Sequence, residues 1–152
     1  MIRDAPAESR MARVGRRLAK GTPELEGVYQ YRLLASSIMN AVSLPGPRIY
    51  VTRGLYDRLK TDDILAAALA HEMAHLQARD SLKPRCRELG SALTKELSAD
   101  QQGTGYLQAA GYRPEAMVEL ILLVKQTQAT GWAARRAERL AQQQRRFEPP
   151  PR

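Results

Sequence analysis

The spacing of apolar residues changes along the chain and predicts helices with a small β-sheet between them. Residues 6–19 carry an apolar stripe at helical spacing, which predicts a short amphipathic helix. Residues 28–35 are β-prone but ambiguous between strand and helix, whereas residues 48–52 form the clearest strand, between a Pro/Gly turn at 44–47 and Gly54. We expect these two stretches to pair as a hairpin.

The second half of the chain is predicted to be helical. Thr61 is a candidate N-cap followed by two aspartates in the first turn, and its helix should reach about residue 78. Proline and glycine positions predict further helices from 84 to about 110, from 114 to about 127 and from 132 to about 147. The expected fold class is therefore α+β and mainly helical.

Length and cysteine content narrow the class of protein. The chain has 152 residues, which is the size of one domain, and we expect a single domain over 1–152 with its core at about 25–127. Cys86 is the only cysteine, so a disulfide framework and a cysteine-ligated zinc finger are excluded.

The net charge of +8 is confined to the two ends of the chain. Residues 1–20 and 132–152 each carry six basic and two acidic side chains, and the remaining residues sum to zero. Three interpretations of these flanks are open. They are solvated helices, or they bind an anionic membrane or nucleic acid, or they fold over the cleft of the protein and restrain its activity. The sequence shows no apolar leader and no membrane-spanning run, so we expect a cytoplasmic protein if residue 1 is the natural start.

The only two histidines stand four residues apart, in the sequence His71-Glu72-Met73-Ala74-His75. On a helix these positions share one face, where two imidazoles can hold one Zn²⁺. Glu72 would stay near that face and reach a water on the metal as general base. The alternative is a pair of surface histidines on an amphipathic helix.

A catalytic zinc site needs a third protein ligand, and the next predicted helix offers one. Glu96 and Asp100 lie on one helical face, and the twenty residues between His75 and Glu96 allow an antiparallel return. Glu96 is then the third ligand, and Asp100 would accept a hydrogen bond from a ligand imidazole. Small residues at Ala99 and Gly103 would let the two helices approach closely. The alternative is a solvated acidic face.

Five segments in this order resemble a known family. They are residues 40–46 (NAVSLPG), 49–55 (IYVTRGL), 63–75 (DILAAALAHEMAH), 96–100 (ELSAD) and 110–114 (AGYRP). Together they resemble the catalytic domain of the zinc metallopeptidases that include the HtpX heat-shock proteases and the CAAX prenyl endopeptidases, in the gluzincin group. The resemblance covers roughly residues 25–125.

The resemblance implies a small sheet plus helices, with one zinc ion between the active-site helix and the glutamate helix. It implies His71, His75 and Glu96 as ligands, Glu72 as general base, and Asp100 as the hydrogen-bond partner of a ligand. It also implies that residues 40–44 border the cleft, with Asn40, Ala41 and Val42 pairing with an extended substrate.

Several positions depart from the family. Membrane-embedded members carry transmembrane helices, which this chain lacks; Pro47 replaces a common glycine, and Asp80 replaces a common histidine. Because the chain has no third histidine, an oxyanion would be stabilised by another side chain. The candidates are Tyr106, Tyr112 and Arg113.

The sequence thus predicts a zinc-dependent endopeptidase that acts on a peptide or protein substrate. The alternative is a catalytically silent, zinc-stabilised binding or adaptor module whose basic flanks meet an acidic partner.

Overall fold

The helices begin and end close to the predicted boundaries. The computed structural model describes residues 4–81 and 92–125, apart from 26, 28 and 45, together with Gln142. The elements are α1 (Ala5–Gly21), a 3-10 turn (Pro23–Leu25), β1 (Gln30–Leu34), β2 (Ala41–Leu44), β3 (Arg48–Thr52), α2 (Arg53–Tyr56), α3 (Asp62–Ser81), α4 (Ala92–Ala109) and α5 (Ala116–Lys125). The predicted mainly helical α+β class is confirmed. The predicted start of a helix at Pro84, the Cys86 thiol and the predicted helix 132–147 lie outside the described residues, except for Gln142.

The sheet has the strand order β1-β3-β2, and the predicted hairpin of 28–35 with 48–52 is wrong. β1 runs parallel to β3, whereas β2 is antiparallel to β3 across the turn at Gly46. A hairpin needs a short loop, and the strand nearest to β3 along the chain is β2. Residues 41–44 therefore take the hairpin position and leave β1 to pair with the other side of β3.

Helix α3 lies at the centre of the molecule. It contacts α1, α4, α5, β2 and β3, and every residue from Leu65 to Ala70 is buried. A helix that is apolar around its whole circumference is stable only when neighbours cover all its sides. The described part of the chain contains no helix with both the length and the apolar content needed to cross a membrane.

Helix α1 belongs to the core. Its predicted stripe is fully buried, so the hydrophobic core begins well before residue 25; the stripe residues are Ala7, Met11, Val14 and Leu18. Asp4 caps the helix by accepting a hydrogen bond from the Ala7 N–H at 3.0 Å.

The basic side chains of α1 bind the start of α3 and the carbonyls that follow α4. Arg10 and Arg13 both bind Asp62 at the start of α3, at 2.9 and 2.8 Å. Arg17 donates to the carbonyls of Ala110 and Gly111 after α4, at 2.9 and 3.0 Å. Much of the N-terminal positive charge is therefore used inside the fold. Whether either flank meets an anionic partner stays a prediction.

Gly15 provides the first test of this packing. A methyl group at this position would overlap the hydroxyl of Tyr31, a buried side chain that has no hydrogen-bond partner among the described residues. We expect Gly15→Ala to lower the free energy of unfolding by about 1–3 kcal/mol, because Tyr31 must be displaced. The matched change Gly105→Ala meets open space and should raise it by up to about 1 kcal/mol.

Urea denaturation of both variants measures the difference. Adding Tyr31→Phe to Gly15→Ala should recover part of the loss, since the overlapping atom is the hydroxyl oxygen. Equal stability of the Gly15→Ala and Gly105→Ala proteins would contradict the close contact between α1 and β1.

The attachment of α1 to α3 should weaken in acid. The hydrogen bond from Arg13, with that from Arg10, holds the pKa of Asp62 below its ordinary value of 3.8. A carboxylate whose pKa is lowered by folding stabilises the fold above its unfolded pKa, and this contribution is lost as the pH falls through the lowered value. Asp62→Asn should therefore lose stability at pH 7 but show a smaller further loss below pH 3.8 than the wild type. Urea midpoints at pH 7 and pH 3 measure both effects, and an unchanged pH dependence would show that the ion pair contributes nothing.

Candidate metal centre

The two histidines lie in the middle of α3, on the face that meets α4. Thr61 caps the helix as predicted, since its hydroxyl accepts a hydrogen bond from the Ile64 N–H at 3.3 Å. From this start, His71 and His75 fall one turn apart on the same side. Their rings meet edge to face, with centroids 4.6 Å apart.

Three donor groups from two helices converge at this point. The Nε2 atoms of His71 and His75 are 3.0 Å apart, and the Glu96 carboxylate lies 3.4 Å from the first and 3.1 Å from the second. In the described part of the chain, no other three His, Cys, Asp or Glu side chains cluster in this way.

This donor set fits a tetrahedral metal ion. Ligand atoms held at about 2.0–2.1 Å from one zinc ion lie roughly 3.3 Å from each other. The Nε2 atoms of the two histidines are 3.0 Å apart, and one Glu96 oxygen lies 3.4 Å from His71 while the other lies 3.1 Å from His75, which is close to that spacing. Two neutral imidazoles and one carboxylate are also a ligand set that zinc accepts, with one position left open.

A buried carboxylate sets the tautomer of His71. Asp100 is fully buried, and its Oδ1 lies 2.9 Å from Nδ1 of His71. Because a carboxylate accepts hydrogen bonds, Nδ1 carries the proton and donates it, and the neutral ring presents the lone pair of Nε2 to the site. The sequence-predicted pairing of Asp100 with an imidazole therefore occurs, and the imidazole is that of His71.

The short distance between α3 and α4 depends on small residues. A methyl group on Gly103 would lie 3.2 Å from the main chain of Ala70 and His71, and 2.7 Å from Met117 of α5. Ala99, one turn earlier on α4, is buried as well. The helices therefore pack with almost no side chain between their backbones, as the sequence predicted.

Glu72 is buried beside the donor set, with 7% of its surface exposed. Its carboxylate has no hydrogen-bond or ion-pair partner among the residues that the structure describes. Neither of its oxygens is among the fully buried polar atoms that lack a partner, so solvent reaches the carboxylate. Its position next to His71 makes it available to a water or a substrate.

The sequence-predicted substrate strand, β2, lies at the edge of the three strands that the structure describes. β2 pairs with β3 on one side and packs against α3. The carbonyl of Asn40 accepts a hydrogen bond from the Thr52 N–H at 3.0 Å, so Asn40 and Val42 direct their main-chain groups towards β3. By alternation, the N–H and C=O of Ala41 point away from β3.

The three oxyanion candidates are not brought to the histidines. Arg113 binds Asp63 and Glu119, and Asp63 precedes His71 by eight residues, about 12 Å of helix. The ring of Tyr112 packs under Arg17, 4.2 Å from its guanidinium carbon. Tyr106 packs against the core six residues beyond Asp100, about 9 Å further along α4. Tyr112 and Arg113 serve to join α1, α3 and α5.

Sequence reasoning missed two threonines near these elements. The Thr104 hydroxyl donates to the carbonyl of Asp100 at 2.7 Å, within the turn that carries the buried carboxylate. Thr52 binds the segment that leads into β2. A threonine in a helix or at a strand end carries no distinguishing sequence signal, so neither could have been found by pattern alone.

Two histidines and an intervening glutamate on one helix, completed by a carboxylate from the next, form the type of site found in metallopeptidases. Residues 5–94, more than half of the chain, match peptidase family M48. The chain therefore belongs to this family. Glu96 and Asp100 lie just beyond the matched residues, so their place at the site rests on the structure.

One curated relative agrees with this assignment. A segment of 53 residues is 40% identical to the mitochondrial metalloendopeptidase OMA1 of Schizosaccharomyces pombe. The match covers 35% of this chain and 16% of that protein, so the chain spans a small part of its relative. These findings support family M48 and do not reach the HtpX or CAAX prenyl endopeptidase subtype.

Gly103 tests whether helix spacing controls the metal centre. Gly103→Ala should push α4 away from the main chain at His71 and lower zinc affinity about tenfold, because Glu96 and Asp100 move with α4. Gly105→Ala, on the same helix but with open space around it, should leave the affinity unchanged. Competition with a fluorescent zinc chelator measures both. Unchanged zinc affinity in folded Gly103→Ala would contradict the proposed role of this contact.

Proposed function

We propose that this chain is a zinc-dependent endopeptidase in which His71, His75 and Glu96 hold one zinc ion and Glu72 is the general base. The observation that carries the proposal is the convergence of three donor groups 3.0–3.4 Å apart beside a buried carboxylate that has no described partner. Membership of family M48 supports it. The narrower likeness to HtpX and CAAX prenyl endopeptidases is part of this proposal.

The bound zinc would supply Lewis acidity to the scissile carbonyl and to a water molecule. Glu72 accepts the proton of that water on its carboxylate and delivers it to the leaving amine. Asp100 holds His71 in the tautomer whose Nε2 faces the site.

The substrate would bind as an extended strand along β2. Strand addition uses main-chain hydrogen bonds and is therefore tolerant of substrate sequence. Ala41 directs its N–H and C=O away from β3 and offers both to a peptide. Of the three residues named from the sequence, Ala41 makes the main-chain contacts, while Asn40 and Val42 secure the strand to β3.

The alternative function, a silent zinc-stabilised module, is distinguished by Glu72. A binding module has no use for a buried acid next to its metal, whereas a hydrolase requires one. The intact Glu72 therefore favours the enzyme.

Glu72→Gln tests the function directly. The variant should bind one zinc per chain, as the wild type does, because Glu72 is not among the three converging donors. Cleavage of a degenerate peptide library should fall at least about a hundredfold, since the amide cannot accept the proton.

Metal analysis and mass spectrometry of the digested library give the two readouts, and Glu115→Gln, an exposed change on the surface, serves as the matched control. Wild-type protein that takes up no zinc would overturn the whole proposal. Wild-type protein that binds zinc but cleaves nothing would establish the silent module instead. Cleavage that survives in Glu72→Gln would exclude this residue as the base.

A further inference from the structure

We propose that the Thr52 hydroxyl is a positioning group for the peptide-binding edge of β2. The inference rests on the proposed function, because it concerns the strand along which a substrate would pair. The residue lies on the neighbouring strand, at the junction of β3 and α2, and not on the strand that would contact the substrate.

Thr52 is buried and stands where β3 ends and α2 begins. Its hydroxyl accepts a hydrogen bond from the Asn40 N–H at 3.0 Å and lies 2.5 Å from the carbonyl oxygen of Ile38. It also lies 3.4 Å from the Leu55 N–H at the start of α2. One oxygen atom therefore joins the segment before β2 to the helix after β3.

The hydroxyl replaces a missing main-chain partner. In the register of β2 and β3, Asn40 is opposite Thr52. An antiparallel pair of this kind normally exchanges two main-chain hydrogen bonds. Here the Thr52 N–H donates to the Asn40 carbonyl at 3.0 Å, but the returning bond from the Asn40 N–H goes to the Thr52 side chain. The hydroxyl thus completes the last pair of the ladder, which the main chain of β3 joins by only one hydrogen bond.

This extra pair fixes the direction of the Ala41 N–H. The Asn40 carbonyl and the Ala41 N–H belong to one planar trans peptide and point in opposite directions. Because the carbonyl lies 3.0 Å from the Thr52 main-chain nitrogen and 2.9 Å from its hydroxyl oxygen, the Ala41 N–H is held pointing away from β3. Thr52 therefore orients the Ala41 N–H, to which a substrate strand would bind.

The loop before β2 has little room to take another position. The Gly54 N–H donates to the Ser36 carbonyl at 2.9 Å. A methyl group on Gly54 would overlap the Ser37 carbonyl and lie 3.0 Å from that of Ile38. The loop is thus packed directly on the turn that carries Thr52, so a change at Thr52 is transmitted to β2.

The test compares binding and cleavage of long and short peptides. Thr52→Val keeps the shape of the side chain but removes the hydroxyl, and Thr52→Ser keeps the hydroxyl. Peptides long enough to pair with β2 should bind zinc-loaded Glu72→Gln protein about fivefold to tenfold more weakly when Thr52→Val is added. In the wild-type background, the same change should raise KM for long peptides and leave kcat, and cleavage of short peptides, unchanged. Thr52→Ser should bind like the parent protein.

Thr61→Val is the matched control, because it removes another threonine hydroxyl at the start of a helix. It should lower the melting temperature without altering the dependence on peptide length. A Thr52→Val protein that loses long and short peptides equally would show a purely structural role, and one that loses neither would also overturn the proposal.

A scan of singly N-methylated peptides adds a second readout. The informative methyl group is the one on the peptide N–H that would donate to the Ala41 carbonyl, because this bond belongs to the same residue pair as the bond from the Ala41 N–H. It should weaken binding to the parent protein and have a smaller effect once Thr52→Val is present. If the two changes weaken binding by additive free energies, Thr52 does not act through the main chain of Ala41, and the inference is wrong.

Hydrogen exchange of the wild type needs no variant and so does not depend on Thr52→Val folding. The Asn40 amide should exchange slowly without peptide, and peptide should slow the exchange of the Ala41 amide but not that of the Asn40 amide. Protection of Asn40 but not Ala41 by peptide would overturn the inference. If the wild type cleaves nothing but the Thr52 effects on binding appear, the proposed function fails while the positioning role stands.

Discussion

The close approach of α3 and α4 at Gly103 is the constraint on which the site depends. Helix axes come as near as the residues between them allow, and here one of those residues has no side chain. At this separation the buried Asp100 reaches His71, and Glu96 reaches both histidines. A larger residue in α4 would separate ligands that belong to different helices.

The same packing explains why polar groups are found in the middle of the core. Leu65–Ala70 are buried without exception, yet the next turn of α3 carries His71 and Glu72. Burying such groups is unfavourable unless each finds a partner. His71 finds Asp100, whereas the described residues leave Glu72 without one. The packing of the apolar turns thus fixes Glu72 beside the histidines.

Local features were predictable from the sequence, and non-local pairings were not. The spacing of His71 and His75, the cap at Thr61 and the return to Glu96 follow from helical periodicity and loop length. The parallel pairing of β1 with β3 does not, because it depends on β2 taking the hairpin position. Tyr112 and Arg113 were placed near the site by sequence distance alone, but α4 carries them towards the start of α3.

Helix α1 binds the start of α3 and the residues after α4, the two helices that carry the three donor groups. Arg10 holds the start of α3, and Arg17 holds the carbonyls after α4, across 93 residues of sequence to Ala110. Closing a loop of this length costs conformational entropy, which the contacts of α1 must offset. The packing of α1 on α3 and α4 therefore links the N-terminal helix to the helices that carry the donor groups. A metal ion held by His71, His75 and Glu96 would therefore also oppose local unfolding of α1, which contributes none of these donor groups.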